Sequence, residues 1–291
     1  MNILFFGGNG WIGTQFIDYL SNIDADNVKI YKSKVRADDD VNIVNEINEI
    51  KPSHVVCMIG RTHGPGYSTI DYLEQKGKLK ENINDNLYSP ITLSLICSKL
   101  NIHLTYLGTG CIFEYSEDKN IFTESDKPNF FGSSYSVVKG FTDRLMHTFE
   151  LLEYPILNAR IRMPITGQVN GRNFITKITN YEKICSIDNS MSVLPTLYPI
   201  LYDLMQKKHT GTINLTNPGV INHNEILTLY KEIVDKNFEW KNFTIKEQNE
   251  ILSSGRSNNY LDTSKLKSLY PDILDIKEAV IYSLEEMKNN K

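Results

Sequence analysis

Residues 2–13 read Asn2-Ile3-Leu4-Phe5-Phe6-Gly7-Gly8-Asn9-Gly10-Trp11-Ile12-Gly13, and residues 14–20 continue with apolar positions at helical spacing. A short apolar run that breaks into a glycine-rich turn and then into an amphipathic pattern predicts a buried strand, a tight turn and a helix. The glycines fall at Gly7, Gly10 and Gly13. Their missing side chains let the backbone N–H groups of the turn, those of Trp11 and Ile12 among them, approach a pyrophosphate at the positive end of the helix. Tight packing is the other use of such a turn. The strand before it and the helix after it favour a dinucleotide.

Working outward, a second strand is expected at 28–31, a helix at about 41–50 and a buried strand at 54–59, so strands and helices alternate at the pace of a parallel, doubly wound sheet. The segment 60–80 is polar and Gly-containing and follows the third strand at the edge where a nucleotide lies in such folds, so it reads as a mobile active-site loop. A helix at about 84–100, a strand at 102–107, a polar excursion at 114–130, a helix from about 133 to 150 and a strand at 156–161 follow. A further strand at 212–215, before the strong turn Asn217-Pro218-Gly219 and a helix beginning near Asn224, is expected to return to the first sheet. The expected class is therefore α/β: a Rossmann-type doubly wound parallel sheet over 1–163 with a returning strand near 211–217, and a smaller, discontinuous substrate domain within 164–291.

The 291 residues suffice for a full core, which makes a small binding module a poor reading. Thirty-one Lys and Arg against 35 Asp and Glu give a net charge of -4 with no basic block, which argues against nucleic acid as partner. No apolar run approaches the ~20 residues that cross a bilayer. Cys57, Cys97, Cys111 and Cys185 are scattered without metal-type spacing, and the apolar start is short and Gly-rich for a signal peptide, so a reducing cytoplasm and no metal site are expected.

Around the end of the second strand, where an NAD-binding protein places an acidic residue on the ribose, stand Tyr31-Lys32-Ser33-Lys34 and Arg36. Lys32, Ser33 and Arg36 suit a 2′-phosphate, hence NADPH, with NADH left open; a solvated basic face is the alternative. Tyr135 and Lys139 lie four apart on a predicted helix, which puts phenol and ammonium on one face, where the cation makes the phenol a usable acid. Such pairs are common on helices, and a partner decides. Thr109, in Leu107-Gly108-Thr109-Gly110-Cys111 after an apolar strand, can hydrogen-bond a carbonyl oxygen beside that phenol.

Glycine turn, Thr109 and the Tyr135/Lys139 pair, in this order, resemble the extended short-chain dehydrogenases, which use the GxxGxxG spacing. Within them the chain is similar to the dTDP-4-dehydrorhamnose reductases. It resembles still more the bifunctional UDP-4-keto-6-deoxy-glucose 3,5-epimerase/4-reductases that make UDP-L-rhamnose, the reductase part of plant rhamnose synthases. The stretches that carry this are 109–114, Arg162-Met163-Pro164-Ile165, Arg172 to Ile178, Asn217 to Val220 with His223 to Ile226, and Arg256 to Asn259 before Leu261-Asp262. The resemblance implies that Thr109, Tyr135 and Lys139 perform the reduction and that Cys111 and Lys177 carry the epimerisation. It also implies Asn86 near the nicotinamide, with a helix N-cap as the equal alternative, and Pro164 on the cofactor side. Arg256 falls on the arginine aimed at the nucleotide diphosphate, and Asn173, Lys177, Asn217 and Asn259 fall on the substrate side. Asp262 reads as a helix cap. The chain departs from the plant pattern mainly in 60–80.

The implied substrate is UDP-4-keto-6-deoxy-D-glucose, enolised with proton exchange at C3 and C5 and then reduced at C4, with a separate 4,6-dehydratase upstream and a homodimer left open. Two rivals remain at this point: a single-function nucleotide-4-keto-sugar reductase, and a non-catalytic subunit that keeps the reductase fold. Retention of Thr109, Tyr135 and Lys139 together argues against the second.

Overall fold

A computed structural model describes residues 1–24 and 26–290. In chain order its elements are β1 (Asn2–Phe6), α1 (Trp11–Ile23), β2 (Lys29–Lys32), α2 (Asp40–Ile50), β3 (His54–Cys57), α3 (Leu79–Ile83), α4 (Ser89–Leu100), β4 (His103–Thr109), β5 (Ile121–Phe122), α5 (Ser134–Leu151) and β6 (Ile156–Ile161). There follow α6 (Phe174–Thr179), α7 (Leu194–Gln206), β7 (Gly211–Asn214), α8 (His223–Ile233), α9 (Ile245–Ile251), β8 (Tyr260–Leu261), α10 (Ser264–Leu269) and α11 (Ile276–Asn289). Two compact units result. The first comprises Met1–Thr109, Ser134–Ala159 and Ile200–Ile213, and the second Gly110–Ser133, Arg160–Pro199 and Asn214–Lys291.

The first unit is built on a six-stranded sheet in the order β2-β1-β3-β4-β6-β7, with β1 parallel to β2 and β3, and β3 parallel to β4. This is the Rossmann-type doubly wound sheet expected from the sequence. From β1 the chain steps out to β2 and then back past β1 to β3, so the strand order reverses between β1 and β3, the crevice where such sheets bind ligands. Ile3, Leu4, Phe5 and Phe6 of β1 and Val55, Val56 and Cys57 of β3 are buried because helices cover both faces of the sheet. On one, Phe5 meets Phe16 of α1 edge-on at 6.2 Å. On the other, Leu4, Phe6, Val55, Leu104 and Tyr106 pack with Ile43 and Ile47 of α2, Leu93 and Cys97 of α4, and Met146 and Phe149 of α5. Between α3 and α4 the helix loosens into one π turn, Asn84–Tyr88, with Asn86 at its centre; Asn86 therefore sits inside a helical run and is no N-cap.

The second unit has its own core, in which Ile165, Ile175, Ile178, Met191 and Val193 pack with Ile226 and Leu227 of α8 and Ala279, Val280 and Leu284 of α11. Both helices start where a capping box is written in the sequence: Asn222 with Glu225 for α8, and Asp275 with Glu278 for α11. The helix expected from Thr263 starts at Ser264, with Asp262 accepting the Ser264 N–H at 2.6 Å. Residues 110–133, read from the sequence with the first region, join this unit. β5 pairs in parallel with β8, and Phe113 and Phe122, stacked at 4.8 Å, bury Ile112 and Leu261 with them. Among the described residues no helix is long and apolar enough to cross a membrane.

Candidate active site

The glycine turn leaves β1 at Gly7, whose φ of +84° favours glycine, and a Cβ there would stand 2.7 Å from the Met58 carbonyl carbon just beyond β3. At Gly13 a Cβ would lie 2.4 Å from the Gly7 oxygen. The Gly10 N–H donates to that same oxygen at 3.0 Å, and Gly10 then caps α1 without a side-chain acceptor or an acidic residue in the first turn. The indole N–H of Trp11, the first residue of α1, has no hydrogen-bond partner among the described residues. A cradle that any side chain would fill, an unneutralised helix start and an orphaned donor fit a dinucleotide pyrophosphate.

Lys32 ends β2, and its Cγ lies 3.3 Å from where a Gly8 Cβ would be, so its stem borders the turn. Two other donors of the basic stretch, the Ser33 hydroxyl and the Arg36 guanidinium, already hold partners. Ser33 donates to Glu46 at 2.6 Å, and Arg36 makes a two-pronged bond to Asp38, both arms 2.9 Å. That pair, with Asn84 donating to the same carboxylate, holds Asp38 down at about 2.

Asn86 is fully buried. Its amide donates to the Arg61 carbonyl at 3.0 Å and accepts from the Arg61 N–H at 3.0 Å, while Thr142 of α5 donates to its carbonyl at 2.6 Å. The start of the 60–80 segment is thereby fixed. Beyond it Arg61 pairs with Asp85 at 2.5 Å, Tyr72 and Lys78 both donate to Glu81, and the Tyr72 ring fills the space over Gly64. The loop read from the sequence as mobile is thus tied at several points, by ion pairs whose partners lie in the following helix.

Thr109 closes β4 and is 8% exposed. Tyr135 and Lys139 face the core one turn apart on α5. The Lys139 ammonium donates to the hydroxyl of Tyr106 and sits 4.7 Å from the centre of its ring. Burial raises the Tyr106 phenol well above its ordinary value, and Cys57, Tyr135 and Asp143 add to the effect. Tyr106 therefore stays a neutral phenol, accepting from the lysine. Sequence reading passed it over as one more aromatic in an apolar strand, and only its hydroxyl distinguishes it.

In the second unit Cys111 is half-buried and meets the guanidinium of Arg162, whose Nη1 donates to its sulfur at 3.5 Å. Arg162 is 1% exposed; it also donates to the Ser257 hydroxyl at 3.1 Å, to the Ser257 carbonyl at 2.5 Å and to the side-chain oxygen of Asn189. Burial depresses Arg162 from its ordinary value. Lys177, on α6, is pulled down first by burial, then by the charges of Arg172 and Arg256, with Cys111 acting in the opposite sense. His223 is pushed down to about 4 by burial and the Arg162 charge, and is neutral at physiological pH. The surroundings of Cys111 are thus strongly cationic.

The asparagines expected on the substrate side are fully buried and bonded to backbone. Asn173 caps α6 and donates to the Thr166 and Gln168 carbonyls, both at 2.7 Å. Asn217 accepts from the Val193 N–H and donates to Thr196 and the Leu274 carbonyl. Asn259 donates to the carbonyls of Gly110 and Phe113, each at 2.9 Å, on either side of Cys111. The Arg256 guanidinium donates to the carbonyl and hydroxyl of Ser254, and the Pro164 carbonyl accepts from Phe174 at 3.0 Å. Arg162, Asn189 and Ser257 are the residues of this cluster that spacing did not single out.

A parallel sheet with a dinucleotide cradle at its switch point, and a tyrosine and lysine one helical turn apart, place the protein among the NAD(P)H-dependent enzymes. Residues 1–137 match the RmlD substrate binding domain family. The crystal structure of the L780 UDP-rhamnose synthase from Acanthamoeba polyphaga mimivirus shares 54% identity, covers 99% of each chain and superposes with a TM-score of 0.94. The bifunctional dTDP-4-dehydrorhamnose 3,5-epimerase/dTDP-4-dehydrorhamnose reductase of Arabidopsis thaliana is 39% identical over 287 residues, 96% of this chain and 91% of the relative. A dTDP-4-dehydrorhamnose reductase from Bacillus anthracis, solved in complex with NADP, shares the fold at 14% identity, with a TM-score of 0.77 over 100% of this chain and 99% of that one. The chain belongs to the family of the L780 synthase and the bifunctional epimerase/reductases.

Proposed function

We propose that this protein converts UDP-4-keto-6-deoxy-D-glucose to UDP-L-rhamnose, by 3,5-epimerisation followed by NADPH-dependent reduction at C4. A nucleotide-sugar 4,6-dehydratase has to supply the ketone, and a reducing cytoplasm suits cysteines that form no disulfide among the described residues. NADPH, held by the turn of Gly7, Gly10, Trp11, Ile12 and Gly13 with Lys32 as the first cation for its 2′-phosphate, supplies the hydride to C4. Ser33 and Arg36 reach that phosphate only by exchanging Glu46 and Asp38, so the preference for NADPH over NADH is moderate.

In the reduction, Thr109 orients the keto oxygen and Tyr135 donates the proton to O4. The Lys139 ammonium, held by Tyr106, favours the phenolate that remains. In the epimerisation, the C3 and C5 hydrogens are acidic because they flank the C4 carbonyl. The amine of Lys177 removes one to give an enolate, and the Cys111 thiol returns a proton to the opposite face of that carbon. The observation that carries this reading is the Cys111 thiol held at 3.5 Å by the buried Arg162 guanidinium, in surroundings whose burial and positive charge also lower Lys177, which favours a lysine that can be a base and a site that welcomes an enolate and a diphosphate. Arg172 and Arg256 suit the diphosphate.

The test is incubation with the keto sugar in deuterated water, with and without NADPH. Deuterium at C3 and C5 before reduction, and UDP-L-rhamnose once NADPH is added, is the expected result. Reduction without deuterium at either carbon would leave a single-function reductase. Parallel runs with the dTDP sugar and with NADH measure the nucleotide and cofactor preferences.

A further inference from the structure

Arg162 is a fully buried guanidinium, and among the described residues none of its partners is a carboxylate. Leaving a buried cation without an anion costs several kcal/mol, so such a group is ordinarily paired. Here its acceptors are the amide oxygen of Asn189, the hydroxyl and carbonyl of Ser257, and the Cys111 sulfur. Of the four, the sulfur alone can take up a negative charge. Nearby, His223 is neutral, and burial raises the Tyr115 phenol, whose hydroxyl donates to the Asp188 carbonyl at 2.9 Å. A fifth donor, the Nε–H of Arg162, has no hydrogen-bond partner among the described residues.

Both ends of the contact are held by backbone. The Gly110 N–H donates to the Ile161 carbonyl at 2.9 Å, which brings Cys111 and Arg162, the next residues on two adjoining segments, side by side. Ser192 grips Arg162 twice, donating its N–H to the Arg162 carbonyl at 2.8 Å and accepting the Arg162 N–H on its hydroxyl at 3.1 Å. Asn259 holds the carbonyls flanking Cys111, and Ser257, its hydroxyl bonded to the Phe113 carbonyl, ties that loop to the guanidinium. Sulfur and guanidinium are thus held in register by the backbone of the second unit.

We propose that Arg162 is the positioning residue of the epimerisation, orienting the Cys111 thiol and balancing the negative charge left on sulfur when that thiol gives up its proton. This rests on the assignment of Cys111 and Lys177 as proton carriers. The protons balance. Lys177 takes a ring proton and becomes an ammonium, leaving an enolate. The S–H bond then breaks, its proton forms the new C–H bond on the opposite face, and the ketone returns while sulfur becomes a thiolate facing Arg162. A proton passing from the Lys177 ammonium to the thiolate restores both groups. Arg162 touches no reacting carbon and acts only through the sulfur.

Arg162→Lys and Arg162→Gln test this. Two rates are compared: deuterium incorporation with inversion at C3 and C5, and the reverse C4 oxidation of UDP-L-rhamnose with NADP+, which needs no epimerisation. Each variant should lose at least about tenfold more of the first rate than of the second, the scale of a weakened proton donor, and Lys should retain more than Gln. A merely structural role lowers both rates together and overturns the proposal. The same loss is measured in a Cys111→Ala background: on the residual exchange made by Lys177, the effect of Arg162→Gln should shrink to about twofold or less, because the two residues act as one unit. An equal loss in both backgrounds also overturns it. Should Gln fail to fold, as judged by thermal unfolding, the Lys variant still separates the two rates. If the wild-type enzyme incorporates no deuterium, the epimerase reading itself falls, an outcome distinct from wild-type exchange that Arg162 does not influence.

Discussion

The two compact units each set a buried cation against a neutral group that can ionise, and they differ in how the sequence writes it. In the first, Lys139 sits against Tyr106 and lies one helical turn from Tyr135. In the second, Arg162 sits against Cys111, with Lys177 in the same field. The first arrangement is laid out along single elements, a helix and a strand, whose periods fix which residues share a face. The second gathers side chains from five stretches, around 111, 162, 177, 189 and 257, and no period links them. A site on one element can be read from spacing; a site assembled by several loops is visible only once the chain is folded.

That contrast breaks most sharply if the two half-reactions are not separable. Tyr135→Phe should lower C4 reduction by about 10²–10⁴-fold, the range for loss of a general acid, while deuterium incorporation at C3 and C5 persists. NADPH oxidation and proton NMR of the same incubation measure the two. The converse lesion, Lys177→Met, should lower incorporation by roughly 10²-fold or more and leave reverse oxidation of UDP-L-rhamnose the less affected rate. If either variant abolished both activities equally, the division of labour would be wrong.

How far the molecule was legible follows the same line. The apolar run 2–6 and the glycines after it fixed strand, turn and helix, because burial on both faces and a side-chain-free turn leave few alternatives. Residues 110–133 read from the sequence with the first region and group in the structure with the second unit: the two-residue strand β5 is too short to announce that its partner is Tyr260–Leu261, far along the chain. Asn86 read equally as a cap because a π turn inside a helix leaves no periodic signature. Asn173, Asn217 and Asn259 each tie backbone groups of the second unit, a role that their spacing in the sequence does not announce.

The glycine cradle gives the next largest effect. Gly13→Ala pushes a methyl to within 2.4 Å of the Gly7 oxygen, where backbone and not a flexible side chain must yield. Overpacking of this kind costs about 1–3 kcal/mol. If the turn opens to relieve it, the NADPH dissociation constant should rise roughly tenfold or more, read by fluorescence titration, with deuterium exchange the less affected activity. A smaller loss should follow Tyr106→Phe, which keeps the ring under Lys139 and removes the oxygen. Reduction is expected to fall roughly tenfold, the worth of one charge-assisted hydrogen bond at its low end, while exchange at C3 and C5 falls less. Equal loss of both would make Tyr106 a packing residue.

The smallest expected effect concerns pH and compares one imidazole from each unit. His54 and His223 are both pushed down to about 4: His54 by burial and then by the neighbouring His103, with the Met205 carbonyl opposing, and His223 by burial and then by Arg162. An unfolded histidine titrates near its ordinary 6.5, so between about 6.5 and 4 the unfolded chain binds protons that the folded chain refuses. Stability therefore rises with pH across that window and is lost as pH falls through it, by an amount on the order of 3 kcal/mol per group at full effect. Thermal midpoints measured from pH 8 to 4 should fall most steeply below 6.5, and His223→Gln should flatten the slope. Arg162→Gln should flatten it too, through His223 and not His54, because removing the guanidinium lets His223 rise toward its ordinary value. A midpoint curve in Arg162→Gln parallel to that of the wild type would mean that burial alone sets the His223 shift and that the Arg162 charge does not reach its ring.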